Sequence, residues 1–169
     1  MKPRSDHRRA GAMITLLVVL VGGFVISSRG IDPLPAAAAA PPADESRRRF
    51  DQAVVMLHAK QYEHAATALQ RVLMLSPQLP EAHVNMGFAL LGLKRVNEAR
   101  DFFDGATALR PDQANAYYGL ALAYEAAGDL ALATGAMRTY LHLARNERPE
   151  HLSRARAALW EWEQVAPRK

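Results

Sequence analysis

Cysteine is absent from all 169 residues, which excludes disulfides, thiolate metal sites and a cysteine nucleophile together and leaves the redox compartment undetermined. Charge bias is nearly absent as well. The chain holds 21 basic and 17 acidic residues, and setting aside Lys2, Arg4, Arg8, Arg9, Arg29, Asp6 and Asp32 leaves 16 against 15. A nucleic-acid role needs a basic face with aromatic stacking, and none is organised here; the short run Arg47–Arg49 reads as a solvated helix face. Paired imidazoles are missing too. His7, His58, His64, His83, His142 and His151 never fall at the i, i+4 spacing that places two on one helical face, which argues against a helix-borne metal site. No glycine-rich phosphate loop follows a strand pattern and no GxSxG elbow occurs. Glu125 and Asp129, one turn apart, read as solvated. The expectation is a protein that is not an enzyme, with no catalytic residues, cofactor or metal, and that works by binding.

What is present begins with a basic start. Met1–Arg9 carries Lys2, Arg4, Arg8 and Arg9 against Asp6, and the following run Ala10–Ser28 has no charge. As a helix that run spans about 28 Å, close to the ~30 Å hydrocarbon core of a bilayer. We read it as an uncleaved transmembrane anchor, with residues 1–9 cytoplasmic and everything after Arg29 on the far side by the positive-inside bias. A cleaved signal peptide is the alternative, since Pro35–Ala40 offers small residues for a peptidase. Against it, the apolar run exceeds the usual ~7–15 residues and those alanines lie too far beyond its end. Residues 29–43 follow, with Pro33, Pro35, Pro41 and Pro42 around five alanines, a composition that favours an extended, semi-rigid spacer. The location expected is a bacterial inner membrane, crossed once, with the remaining domain periplasmic.

Past the spacer, Pro80–Arg110 sets the pattern. Its small and apolar residues fall three and four apart twice over, so it reads as two amphipathic helices joined at Lys94–Arg95. Met86, Gly87, Leu90 and Leu91 mark the first; Val96, Ala99, Phe102, Phe103 and Ala106 mark the second, and Pro111 ends it. Gly87 is expected to let two helix backbones approach closely. A lone helical hairpin cannot bury both faces, so it needs neighbours of its own kind. They lie at a spacing of 34 residues: Pro77 pairs with Pro111, Ala65 with Ala99 and Ala133, Leu69 with Phe103 and Met137, and His83 with Tyr117.

This period, with a small residue in each helix and proline after the second, resembles the tetratricopeptide repeat. The resemblance covers residues 46–79, 80–113 and 114–147. It departs from the family pattern at His83, which stands for a bulky aromatic, at Ala53, which stands for a glycine, and at Arg145, which stands for a closing proline. The fold expected is all-α: a three-repeat solenoid over residues 44–147, preceded by the anchor and closed by a capping helix and tail over residues 148–169. Seven helices are predicted: Asp44–His58, Gln61–Leu75, Pro80–Gly92, Val96–Leu109, Ala114–Ala127, Leu130–Ala144 and Pro149–Gln164. The last places Leu152, Ala155, Ala158, Leu159 and Trp162 on one side, as a polar-backed cap requires.

In such arrays the first helix of each repeat lines a concave groove. The resemblance places Phe50, Val54, Leu57, Val84, Asn85, Phe88, Leu91, Tyr118, Leu122 and Glu125 there. Family members that clamp a peptide C-terminus use lysine, asparagine and arginine; the corresponding positions here hold Phe50, Val54, Asn85, Asn115 and Gly119, of which only Asn85 fits. An apolar helix or extended segment of a protein partner is therefore the ligand expected, with Asn85 and Asn115 free to bond its backbone. Two functions follow. One is a membrane-anchored extracytoplasmic scaffold for assembly of a membrane or envelope complex. The other is a constitutive accessory subunit of such a complex, packed partly through its own anchor.

Overall fold

Three antiparallel helix pairs and a seventh helix follow one another along the chain, and each pair is closed by the same turn. The computed structural model describes residues 42–165, all within one unit, Ala38–Lys169. The helices are α1 (Pro42–His58), α2 (Tyr62–Leu75), α3 (Pro80–Gly92), α4 (Val96–Leu109), α5 (Ala114–Ala126), α6 (Leu130–Leu143) and α7 (Pro149–Val165). The 34-residue period thus accounts for α1 to α6, and these and α7 have ends within two residues of those predicted. α1 opens at Pro42 rather than Asp44 because proline, with its fixed φ, suits a first helical turn. The anchor assigned to residues 10–28 lies outside the described residues. No helix among the described residues is long and apolar enough to cross a membrane.

The turn within each pair recurs at the same register. Lys60, Lys94 and Gly128 all take positive φ, at 58°, 64° and 81°. In each, the residue donates its N–H three positions back, Lys60 to Leu57, Lys94 to Leu91 and Gly128 to Glu125. The following residue donates five positions back, Gln61 to Met56, Arg95 to Leu90 and Asp129 to Tyr124, all at 2.9 Å. This is the Schellman closure of a helix, where glycine is favoured for want of a Cβ. Only the third repeat has one; two lysines hold the left-handed conformation elsewhere. Asp129 also caps α6, its Oδ1 accepting from Leu132 N at 3.0 Å, while Gln61 and Arg95 at the same register make no side-chain cap.

Packing follows the repeat as well. Leu69, Phe103 and Met137, one per second helix, are fully buried. Phe103, the largest, lies between two glycines: a Cβ on Gly87 of α3 or on Gly119 of α5 would overlap its ring. Gly87 therefore makes room for an aromatic ring rather than for a second backbone. Leu69, a smaller side chain, has Ala53 and Asn85 at the positions 34 residues before those glycines. The replacement of a bulky aromatic by His83 also has an account. His83 Nε2 donates to the Pro77 carbonyl at 2.8 Å, and Tyr117 Oη donates to the Pro111 carbonyl at 3.1 Å. Two different rings fasten the start of the next pair to the preceding turn.

The last turn departs from the period. Four residues separate α2 from α3 and α4 from α5, but five, Ala144–Arg148, separate α6 from α7. There Glu147 accepts from Arg148 N–H and from His151 Nδ1, each at 3.0 Å. α7 buries Ala155 and Trp162 against α6 and α5, with Leu152, Ala158 and Leu159 half-buried beside them.

Candidate functional site

Among the described residues the backbones of first helices approach one another and those of second helices do not. α1 lies close to α3 and α3 to α5, whereas no such approach joins α2 to α4 or α4 to α6. The array is therefore curved with α1, α3 and α5 on its inner, concave side. Of the residues expected there, Phe50, Val54, Leu57, Asn85, Phe88, Leu91, Tyr118 and Leu122 are half-buried, the exposure of a groove wall. Val84 is a correction: at 3% exposure it belongs to the core. Central helices such as α3 are covered from several sides, and seven of its residues are buried. Glu125 is exposed but engaged, since its Oε1 accepts from Trp162 Nε1 at 3.0 Å. It fastens the cap across the end of the groove.

Aromatic rings form a continuous row along this side. Phe88 meets Phe103 nearly edge-on at 5.1 Å and Tyr118 at 6.4 Å, and Tyr118 meets Tyr140 of α6 at 5.1 Å. Edge-on and tilted pairs of this kind are the favoured aromatic geometries. The row ends in a pocket of about 280 Å³ lined by Phe88, Asn115, Tyr118, Tyr140, Glu147, His151 and Arg154. The last three come from the five-residue turn and α7, none of which the sequence reading placed at the site. The longer turn is the signal that could have found them. Burial, with the nearby Glu147 carboxylate and Tyr118, pushes the Tyr140 phenol above its usual range. Hydrogen bonds from the Arg148 N–H and His151 hold Glu147 below the usual carboxylate range, so Glu147 stays ionised within its own hydrogen bonds, with the Arg154 guanidinium lining the same pocket.

Gly119 stands at one of the positions that clamp residues occupy in peptide-binding relatives. The space a side chain would take there is filled by Phe103, so a longer residue would have to displace a core ring.

A larger cavity lies on the opposite side. It measures about 670 Å³ and opens between α2 and α4, floored by Leu73, Met86, Leu90, Leu93 and Phe102 and rimmed by Glu63, Gln70, Arg95 and Glu98. Met74 beside it is 67% exposed. Helix periodicity does not reveal it, because it arises from the spacing between second helices. Among the described residues no group of three or more histidine, aspartate or glutamate side chains could hold a metal ion.

The arrangement defines an all-α, helical-repeat solenoid with a curved inner face. Residues 56–114 match the family model described as tetratricopeptide repeat, and solved tetratricopeptide-repeat structures share the fold over most of their length. The first such domain of Spaghetti (RPAP3), bound to an HSP90 peptide SRMEEVD, is 20% identical, with 72% of this chain and 93% of that one covered and a TM-score of 0.65. The Arabidopsis OM64 TPR domain is 17% identical over 75% of this chain and all of its own, with a TM-score of 0.68. The Yersinia enterocolitica type III secretion chaperone SycD, in complex with a peptide of the translocator YopD, is 15% identical, with 72% and 95% covered and a TM-score of 0.67. No curated protein matches the chain.

Proposed function

We propose that the chain is a binding module and not an enzyme: a membrane-tethered tetratricopeptide scaffold whose inner groove takes an apolar helix or extended segment of a protein partner. The observation that carries this reading is that Phe88, Tyr118 and Leu122 stay half-buried together on the curved inner side, a partly accessible apolar surface of the kind on which partners dock. Solved neighbours with this fold hold peptides, SRMEEVD in one and a YopD segment in another, which supports peptide docking as the mode. The uncharged run Ala10–Ser28 after a basic start supports a tether, and in our reading the groove lies on the periplasmic side of a bacterial inner membrane. There it would assist assembly of a membrane or envelope complex, and tethering raises local concentration so that modest affinity suffices.

Site-specific photocrosslinking in intact membranes tests this. A benzophenone side chain at Leu122 should capture a discrete partner, one at Met74 on the outer side should not, and Phe88→Glu with Tyr118→Glu should abolish the Leu122 product while circular dichroism shows the helices intact. Capture from Met74 alone would overturn the groove reading.

A further inference from the structure

The pocket at the α5, α6 and α7 end of the groove has an uneven distribution of partners. Its one carboxylate is committed: Glu147 Oε1 accepts from the Arg148 N–H and from His151 Nδ1. Its guanidinium is not. Arg154 is exposed, forms no ion pair or hydrogen bond with the described residues, and lines the pocket beside Asn115, Tyr118 and Tyr140. None of those three side chains hydrogen-bonds to another described residue either. An amide, two phenols and a guanidinium therefore offer free donors around an aromatic floor. At about 280 Å³ the pocket falls just below the ~300–1,000 Å³ of small-molecule sites, a size for one or two side chains of a longer ligand.

We propose that this pocket reads an acidic side chain of the segment docked in the groove, with Arg154 pairing to its carboxylate and Asn115, Tyr118 and Tyr140 donating around it. The inference rests on the groove reading above and adds the chemistry of one ligand position. A glutamate or aspartate brings acceptors to unused donors, and its stem lies on the Phe88 and Tyr118 rings. A lysine or arginine would face Arg154 and would have to compete with His151 for Glu147. The pocket shares Asn115 with the clamp positions but not Gly119, whose side-chain space Phe103 fills, and it depends on the five-residue turn that brings Arg154 of α7 to the pocket.

The test uses the full chain in detergent micelles as bait for a displayed library of random twelve-residue peptides. Wild type should enrich apolar peptides carrying aspartate or glutamate at one fixed position. Arg154→Gln should lose that positional preference, and Arg154→Glu should turn it toward lysine or arginine. For a selected peptide and its glutamate-to-glutamine counterpart, fluorescence anisotropy should show about tenfold discrimination by wild type and none by Arg154→Gln, the scale of one charge-assisted hydrogen bond. Enrichment without an acidic position, retention of the preference in Arg154→Gln, or a basic preference in wild type would overturn the pocket assignment while leaving the groove intact. No enrichment of any peptide would overturn the groove reading, and the pocket with it.

Discussion

Phe103 wedged between Gly87 and Gly119 makes a prediction about pairs of residues rather than single ones. A methyl at Gly119 overlaps the ring. Overpacking of this kind costs about 1–3 kcal/mol, and alanine returns up to about 1 kcal/mol as the better helix former. Gly119→Ala should therefore lower stability by about 1–2 kcal/mol. Phe103→Leu removes part of a fully buried ring and should cost about 1–2 kcal/mol, well short of the ~3–5 for truncation to alanine. Together the two changes relieve each other, because leucine vacates the space the new methyl needs. The double variant should lie at most about 1 kcal/mol below wild type, a mutual rescue of at least about 1–3 kcal/mol. Gly135→Ala is the control. It sits within α6 with nothing within 4 Å of a built Cβ, so it should stabilise by about 0.5–1 kcal/mol through helix propensity alone. Urea titrations of the full chain in micelles, followed by far-ultraviolet circular dichroism, measure all four. If Gly119→Ala and Phe103→Leu add within about 0.5 kcal/mol, the ring is not held between the two glycines and the packing argument fails.

Transplanting the third turn into the first should stabilise the array. Lys60→Gly relieves a positive φ at about 1 kcal/mol, Gln61→Asp supplies the missing cap at about 1 kcal/mol, and thermal melts should show the two gains nearly adding. Conversely, Gly128→Ala should destabilise by about 1 kcal/mol, and an unchanged midpoint would contradict the left-handed assignment. Glu125→Ala leaves the buried indole N–H of Trp162 without its acceptor, costing about 1–3 kcal/mol; amide exchange should show the loss confined to α7 and the end of α5. Glu147 is held below its unfolded pKa, so its contribution is complete above the unfolded value and disappears as pH falls through the folded one. Acid titration should loosen the α6–α7 turn in wild type, and Glu147→Gln should remove that acid-dependent step.

The repeat architecture was legible because two periods coincide, 3.6 residues within each helix and 34 between pairs, so local pattern and long-range pattern identify the same segments. Leu69, Phe103 and Met137 could be named as equivalent before their burial was seen. Left-handed turns were not legible at Lys60 and Lys94, since lysine carries no signal for positive φ and only neighbouring helices impose it. The site was legible in part. Phe88 and Tyr118 are half-buried on first helices, but α3 is apolar on most of its circumference, and nothing in its spacing separates half-buried Phe88 from buried Val84. His151 and Arg154 reach the groove end through a single inserted residue, which shifts α7 off the 34-residue register.

Contact between first helices but not between second helices gives the array one-sided stiffness. Its packed seam runs along α1, α3 and α5, and the cleft between α2 and α4 is its compliant side. A body wedged between the first helices would spread that seam, and the cleft on the far side would narrow.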